Sequence, residues 1–343
     1  MTRTATLSSE PATDSRLLGD YVRKILAAPV YDLAICTPLQ VAPALSLALG
    51  NQILLKREDL QPTFSFKIRG AYNKLVQLSE AQRRCGVVTA SAGNHAQGVA
   101  LAARTLGIQA TIVMPTTTPE LKVLGVRSRE ATAVLHGESF PFALAHALQL
   151  AEERGYTFVS PFDDPDVIAG QGTVAMELLN QHPGPLDAIF VPVGGGGLIA
   201  GIAAYVKYLR PEVRIIGVES EHSNCLQMAL RAGERVVLPR VGTFADGVAV
   251  AQIGAYGFEV CRRYVDEVIT VGNDQLCSAI KDIYDDTRSI TEPSGALAVA
   301  GIKQYVAAHG LHGQTLVAIN SGANINFDSL RHVAERAALG GAA

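Results

Sequence analysis

From residue 53 onward, short apolar runs rich in β-branched residues alternate with alanine-rich stretches of helical length. No other feature restricts the fold as strongly. The strand-like runs are Ile53–Lys56, Gly86–Ala90, Ala110–Met114, Thr132–Leu135, Thr157–Ser160, Ala188–Val193, Arg214–Val218, Glu267–Val271 and Thr315–Ile319. Between them His95–Leu106, Pro141–Arg154, Gly172–Gln181, Leu198–Leu209, Gly295–His309 and Asp328–Ala338 read as helices. Continuous apolar strands with helical crossovers predict an α/β fold of mostly parallel sheets covered on both faces. Such sheets hold ligands at the carboxyl ends of their strands. A chain of 343 residues has room for two lobes. No repeat, low-complexity linker or charge block marks a boundary between them.

Composition then removes several function classes. Charged residues are 18% of the chain, the net charge is -3, and no basic stripe suggests nucleic acid. No apolar run reaches the roughly 18 residues of a membrane span, since the longest, near Leu198–Val206, is broken by Gly201. Five scattered cysteines, with no C-x-x-C pair, argue against a disulfide framework or structural zinc and for a reducing, cytoplasmic setting. Met1–Arg16 is Ser/Thr-rich, carries Glu10 and Asp14, and reads as a disordered tail rather than a secretory signal.

Four loops at strand ends carry the chemistry. In Thr63-Phe64-Ser65-Phe66-Lys67-Ile68-Arg69-Gly70-Ala71, Lys67 has apolar neighbours and no adjacent acid. Desolvation there should lower its pKa and make it a better nucleophile and base; a surface lysine at a helix start is the plain alternative. Ser91-Ala92-Gly93-Asn94-His95-Ala96-Gln97-Gly98 follows a strand and opens a helix. Free amides and the positive dipole end suit a carboxylate, although a simple Ser/Asn cap gives the same pattern. His95 reads equally well as an acid–base group or as a structural histidine. In Gly194-Gly195-Gly196-Gly197-Leu198, four glycines would let amides wrap a phosphate, where a turn needs one or two. The same loop also fits a dinucleotide fingerprint, with Glu219 ending the next strand, so a nicotinamide oxidoreductase is the rival from another class. Last, Ser321-Gly322-Ala323-Asn324 closes the final strand.

In order and spacing, these segments resemble the fold-type II pyridoxal-phosphate enzymes over about residues 20–335. Those are the threonine and serine dehydratases, serine racemase and, more distantly, tryptophan synthase β and cysteine synthase. Phe244–Val250 and Asp286–Ala296 are similar to the biosynthetic threonine dehydratase branch, which takes the first step towards isoleucine. The resemblance implies a large cofactor-binding lobe of residues 1–68 and 160–343 and a small inserted α/β lobe of 69–159. It implies pyridoxal 5'-phosphate held by Lys67 as a Schiff base and flanked by Phe66, with Asn94 at the pyridoxal 3′-oxygen. Gly194, Gly195, Gly196, Gly197 and Leu198 would hold the phosphate and Ser321 the pyridine nitrogen. Ser91, Ala92, Gly93, Asn94 and His95 would form the substrate-carboxylate loop, with Glu292 behind the groups that touch the ligand.

The implied activity is dehydration and deamination of L-threonine to 2-oxobutyrate and ammonia, with L-serine as second substrate. A serine dehydratase or racemase is the close alternative, and a catalytically dead cofactor binder a distant one. Ala92 stands where the racemases place a second serine. Glu219, Ser223 and Cys225 stand at the racemase metal positions, where only the first suits a hard cation, so no metal is expected. The branch usually continues into a C-terminal effector-binding region. The chain stops after the last helix, so no isoleucine feedback through that region is expected. A dimer or tetramer is implied by resemblance alone.

Overall fold

The computed structural model describes residues 11–340. Two sheets form its frame. Strands β1 (Leu39–Val41) and β2 (Gln52–Arg57) belong to the first, β3 (Val87–Ala90), β4 (Ala110–Met114), β5 (Thr132–Leu135) and β6 (Thr157–Phe158) to the second. The chain then returns to the first sheet with β7 (Ala188–Pro192), β8 (Arg214–Ser220), β9 (Glu267–Val271) and β10 (Thr315–Asn320). Strand order is β1-β2-β10-β7-β8-β9 in the six-stranded sheet and β5-β4-β3-β6 in the four-stranded one. Every pairing is parallel except β1 with β2. β2, β3, β7, β8 and β10 are buried nearly throughout, as expected of strands covered on both faces.

The helices are α1 (Pro11–Leu26), α2 (Pro43–Leu49), α3 (Lys67–Val76), α4 (Glu80–Cys85), α5 (Asn94–Leu106), α6 (Glu120–Arg127) and α7 (Phe140–Arg154). They continue with α8 (Pro165–Gln181), α9 (Gly197–Leu209), α10 (Cys225–Ala232), α11 (Ala255–Tyr264), α12 (Asn273–Thr287), α13 (Pro293–His309) and α14 (Ser329–Gly340).

Three differences from the sequence reading have physical causes. Residues 11–16 open α1 instead of continuing a tail, and the first ten lie outside the described residues. Leu18, Tyr21, Val22 and Ile25 are buried at helical spacing and dock α1 on α8 and α9. β6 stops at Phe158 because Pro161 has no amide to extend the ladder. α8 starts at Pro165, well before Gly172, with the Asp164 carboxylate accepting the amides of Asp166 at 2.8 Å and Val167 at 3.2 Å. Gly170 and Gly172 look like helix breakers but are close-packing positions. A Cβ on Gly170 would stand 2.6 Å from the Gly70 Cα, and one on Gly172 would strike Ile25.

That glycine contact presses α3 onto α8, and a buried ion network locks it there. The Arg69 guanidinium is bidentate to Glu58 at 2.7 and 2.8 Å and donates to Glu177 at 2.6 Å. Glu177 also receives Lys56 Nζ, and Glu58 the Thr37 hydroxyl at 2.6 Å. All four charged side chains are buried. Burial alone would push Glu58 up and Arg69 down; their mutual attraction outweighs it, leaving Glu58 below and Arg69 above the ordinary values. Removing Arg69 takes the ionic partner from Glu58 in a dry interior and leaves Glu177 to Lys56 alone. Arg69→Leu should therefore lower the unfolding free energy of the cofactor-free protein by roughly 3–5 kcal/mol in urea titration, and a loss below about 1 kcal/mol would contradict this role.

Candidate active site

The carboxyl ends of β3, β7 and β10 each release one of the motif loops, and α3 begins against them. Lys67 is the first residue of α3. Its approach is stitched to the end of β10. The Phe66 amide donates to Ser321 O at 3.2 Å, Ser65 bridges Gly322, and the Ala323 amide donates to Phe64 O at 2.9 Å. Asn324 Nδ2 donates to Thr63 O at 2.9 Å. Phe64 adopts a left-handed φ of 56°, uncommon for a residue with a side chain, to make this turn. Gly98 of α5 packs on the other side, where a Cβ would stand 3.2 Å from the Lys67 carbonyl.

The Lys67 amine donates to Pro161 O at 2.8 Å and lies 5.4 Å from the half-buried Phe66 ring. Burial lowers its pKa to about 8, against the opposing pull of Glu292. An amine of that basicity is a competent nucleophile near neutrality.

The glycine loop joins β7 to α9, and each of its glycines meets a protein neighbour. A Cβ on Gly194 would stand 2.9 Å from Val248 Cα, and one on Gly195 would stand 2.1 Å from the Phe162 ring. Gly196 has φ +90°, and a Cβ on Gly197 would reach Phe162 O at 2.9 Å. Four glycines are therefore demanded by packing as well as by any anion on the opposite side. Gly196 is the N-cap of α9 and offers no side-chain cap. Among the described residues, the amides from Gly194 to Leu198 donate to no backbone carbonyl of a neighbouring segment. Unpaired amides at the positive end of a 13-residue helix make an anion site.

The remaining motif residues meet around Glu292. Its Oε1 accepts Asn94 Nδ2 at 2.6 Å and Ser294 Oγ at 2.9 Å, while Asn94 Oδ1 accepts Asn324 Nδ2 at 2.7 Å. Glu292 is buried, and burial followed by the nearby charge of Asp246 raises its pKa to about 7. Ser321 is buried and makes one long bond, 3.3 Å, to Ser294 O.

At the start of α5 the Ser91 hydroxyl accepts the amides of Gly93 at 3.2 Å and Ala96 at 3.3 Å, so it does cap the helix. Its own proton and the amides of Asn94 and His95 are left facing the loop. Ala92 and Gly93 are half-buried beside them. His95 Nε2 meets Val159 O at 3.2 Å and Nδ1 has no partner. Burial, then the charge of Lys67, lowers its pKa to about 3. A neutral His95 would donate from Nε2 to the Val159 carbonyl.

Glu219 is engaged at the start of a helix. Its two oxygens accept the amides of Leu226 and Gln227, both at 2.8 Å, across the first turn of α10. Burial raises its pKa to about 8. Sequence reasoning missed Pro161 and Phe162, which contact Lys67 and the glycine loop, and gave Asn324 no task. Asn324 sits inside a motif already singled out. Pro161–Pro165 shows only the signature of a helix start.

A family model described as pyridoxal-phosphate dependent enzyme matches residues 30–322. The biosynthetic L-threonine dehydratase of Burkholderia multivorans is 58% identical over 324 residues, which are 94% of this chain and 64% of that protein. The chain spans less than two thirds of the length of the curated relatives it matches. The solved processed form of threonine deaminase isoform 2 from Solanum lycopersicum superposes with a TM-score of 0.92 at 47% identity, covering 98% of this chain and 96% of that one. Maize serine racemase gives 0.85 at 34% identity, covering 92% and 96%.

The residues present fit a pyridoxal phosphate. A weakly basic amine stands near free helix-start amides suited to its phosphate, with neutral Ser321 and Asn94 in the same group of loops. The pKa of Lys67 is open to direct test. In cofactor-free protein, competitive amine acylation should place the Lys67 midpoint near pH 8, and Glu292→Gln should move it lower by removing the opposing charge. A midpoint at the ordinary lysine value, or an upward move, would overturn this electrostatic picture.

Proposed function

The chain belongs to the pyridoxal-phosphate-dependent enzymes, and from that premise we propose that it dehydrates and deaminates L-threonine to 2-oxobutyrate and ammonia. The observation that carries the reading is the Lys67 amine, its pKa lowered to about 8, in one group of loops with the open amides before α9. The threonine-directed names of the relatives support the choice of substrate.

On this reading Lys67 would bond the cofactor, Gly194–Leu198 would hold its phosphate, and Asn94 and Ser321 would hold its ring. When bound, the cofactor supplies an electron sink for the pair left by the α-proton. The Ser91 hydroxyl and the amides of Asn94 and His95 take the substrate carboxylate and fix the orientation of the α-carbon. Lys67 Nζ would be the base that accepts the α-proton. Ser321 offers a neutral hydroxyl, so it does not force a proton onto the ring nitrogen as a carboxylate would. That favours rapid loss of the β-hydroxyl over returning the proton. Glu292 Oε1 already accepts two hydrogen bonds, so any proton Glu292 carries sits on Oε2. There it can adjust the charge felt by Asn94 and Lys67.

We also read residues 69–159 as the inserted small lobe, since the four-stranded sheet is drawn from within them. The described helices include none long and apolar enough to cross a membrane, and the five cysteines are free. The free thiols suit the cytoplasmic setting included in this proposal, and assembly into a dimer or tetramer is carried by family resemblance alone.

Two variants and one comparison test the proposal. Lys67→Ala should remove 2-oxobutyrate formation almost completely while leaving circular dichroism unchanged; substantial remaining turnover would mean that another base does the work. Ala92→Ser should raise any D-serine yield, and an unchanged yield would remove the argument that this position separates lyase from racemase. The two substrates differ by one methyl group, worth about 1–3 kcal/mol, so kcat/KM for threonine should exceed that for serine by roughly 10- to 200-fold. A preference for serine would point to the alternative, a serine dehydratase.

A further inference from the structure

We propose that the four-stranded part of the molecule carries a second ligand site, a surface cavity that takes a short aliphatic carboxylate. The cavity, about 250 Å³, opens where the C-terminal ends of α5 and α6 meet the start of β4. Ala103, Ile108 and Ala131, each nearly buried, leave it a narrow apolar floor, and Arg104 and Arg129 also line it.

Among the described residues no carboxylate pairs with either guanidinium, and the Arg104 side chain has no hydrogen bond at all. Arg129 is held in place: its NH1 donates to Gln97 Oε1 and to Gly125 O, both at 2.7 Å. Its Nε and second amino group remain available. Burial, and then the neighbouring Arg104, press the Arg129 guanidinium below its usual value. The fold thus sets two like charges on the lining of one cavity, with neither in an ion pair among the described residues.

A simpler account is that basic side chains near helix C-termini offset the helix dipoles. Each helix end presents only about half a negative charge, so two dipoles leave part of two full positive charges unbalanced. Glu130 also lines the cavity, at a left-handed φ of 63°, yet forms no ion pair with either arginine. A carboxylate bridging the two guanidiniums would gain charge-assisted, fork-like hydrogen bonds. The alanine and isoleucine wall suits a body of a few carbons and gives nothing to a bare oxoanion.

The site also touches the path to the substrate loop. Gln97, which receives Arg129, lies one turn after Asn94 on α5 and donates to Lys122 O at 3.4 Å. Lys122 Nζ in turn reaches Asp246 at 2.6 Å, across to the segment beside the glycine loop. The site goes beyond the lyase reading and does not depend on it.

The test uses the holoenzyme titrated with propionate, followed calorimetrically and by ligand-observed NMR, beside Arg104→Glu. Arg104 is exposed and contacts no proposed catalytic group, so turnover should stay within about twofold of the parent. The expected result is a saturable binding event weakened at least about tenfold in the variant. Binding that persists in Arg104→Glu belongs to the active site. L-2-aminobutyrate and 2-oxobutyrate then separate the two sources of such a carboxylate: Glu130→Gln should weaken the amino acid alone if its ammonium uses that rim. Absence of any Arg104-sensitive event overturns the proposal. So does inorganic phosphate binding there as tightly as propionate, since the apolar wall would then contribute nothing.

Discussion

The fork of Arg69 on Glu58, with its third bond to Glu177, settles where α3 begins and therefore where Lys67 stands. The network joins β2, α3 and α8 in one desolvated knot. Its cost in desolvation is recovered only with every partner in place, which makes the geometry close to all-or-none. The Gly70–Gly170 approach allows the helices near enough for that knot to close. Lys67 lies two residues before Arg69, so the amine inherits a position it does not itself pay for.

Around that fixed amine the electrostatics are graded. Lys67 is brought down to about 8 and Glu292 up to about 7, both mainly by burial, and each feels its neighbours' charges. The Glu292 charge raises the basicity of the Lys67 amine, so the state of that carboxyl bears on the amine. His95 is pushed out of that range altogether and, when neutral, would donate from Nε2. The four glycines serve both ends, accepting Phe162 and Val248 on one side and leaving amides open at the start of α9.

Much of this was legible from the chain alone. Apolar strand runs named nine of the ten strands because β-branched continuity survives folding as burial on both faces. β1 escaped, since three residues between two prolines carry no period to read. The motif loops were visible because glycines, asparagines and an isolated lysine are costly in such places without a task. Other features depend on residues distant in sequence. Phe162 seated on Gly195, Asn324 bound to Asn94, and Glu219 spent on α10 leave no local mark. The tetraglycine turn was read only through ligands, as a phosphate cradle or a dinucleotide fingerprint, because a single sequence cannot show which side of a loop a neighbour occupies. The α1 pattern at Leu18, Tyr21, Val22 and Ile25 was legible in principle and was masked by the polar residues before it.

The central claim is a covalent bond between the Lys67 amine and a pyridoxal phosphate. Holoenzyme treated with borohydride, digested and mapped by mass spectrometry tests it most directly. The account predicts the reduced cofactor's mass on the peptide that contains Lys67 and on no other lysine. An unmodified Lys67 peptide from protein saturated with the cofactor, or the added mass on a different lysine, would contradict it.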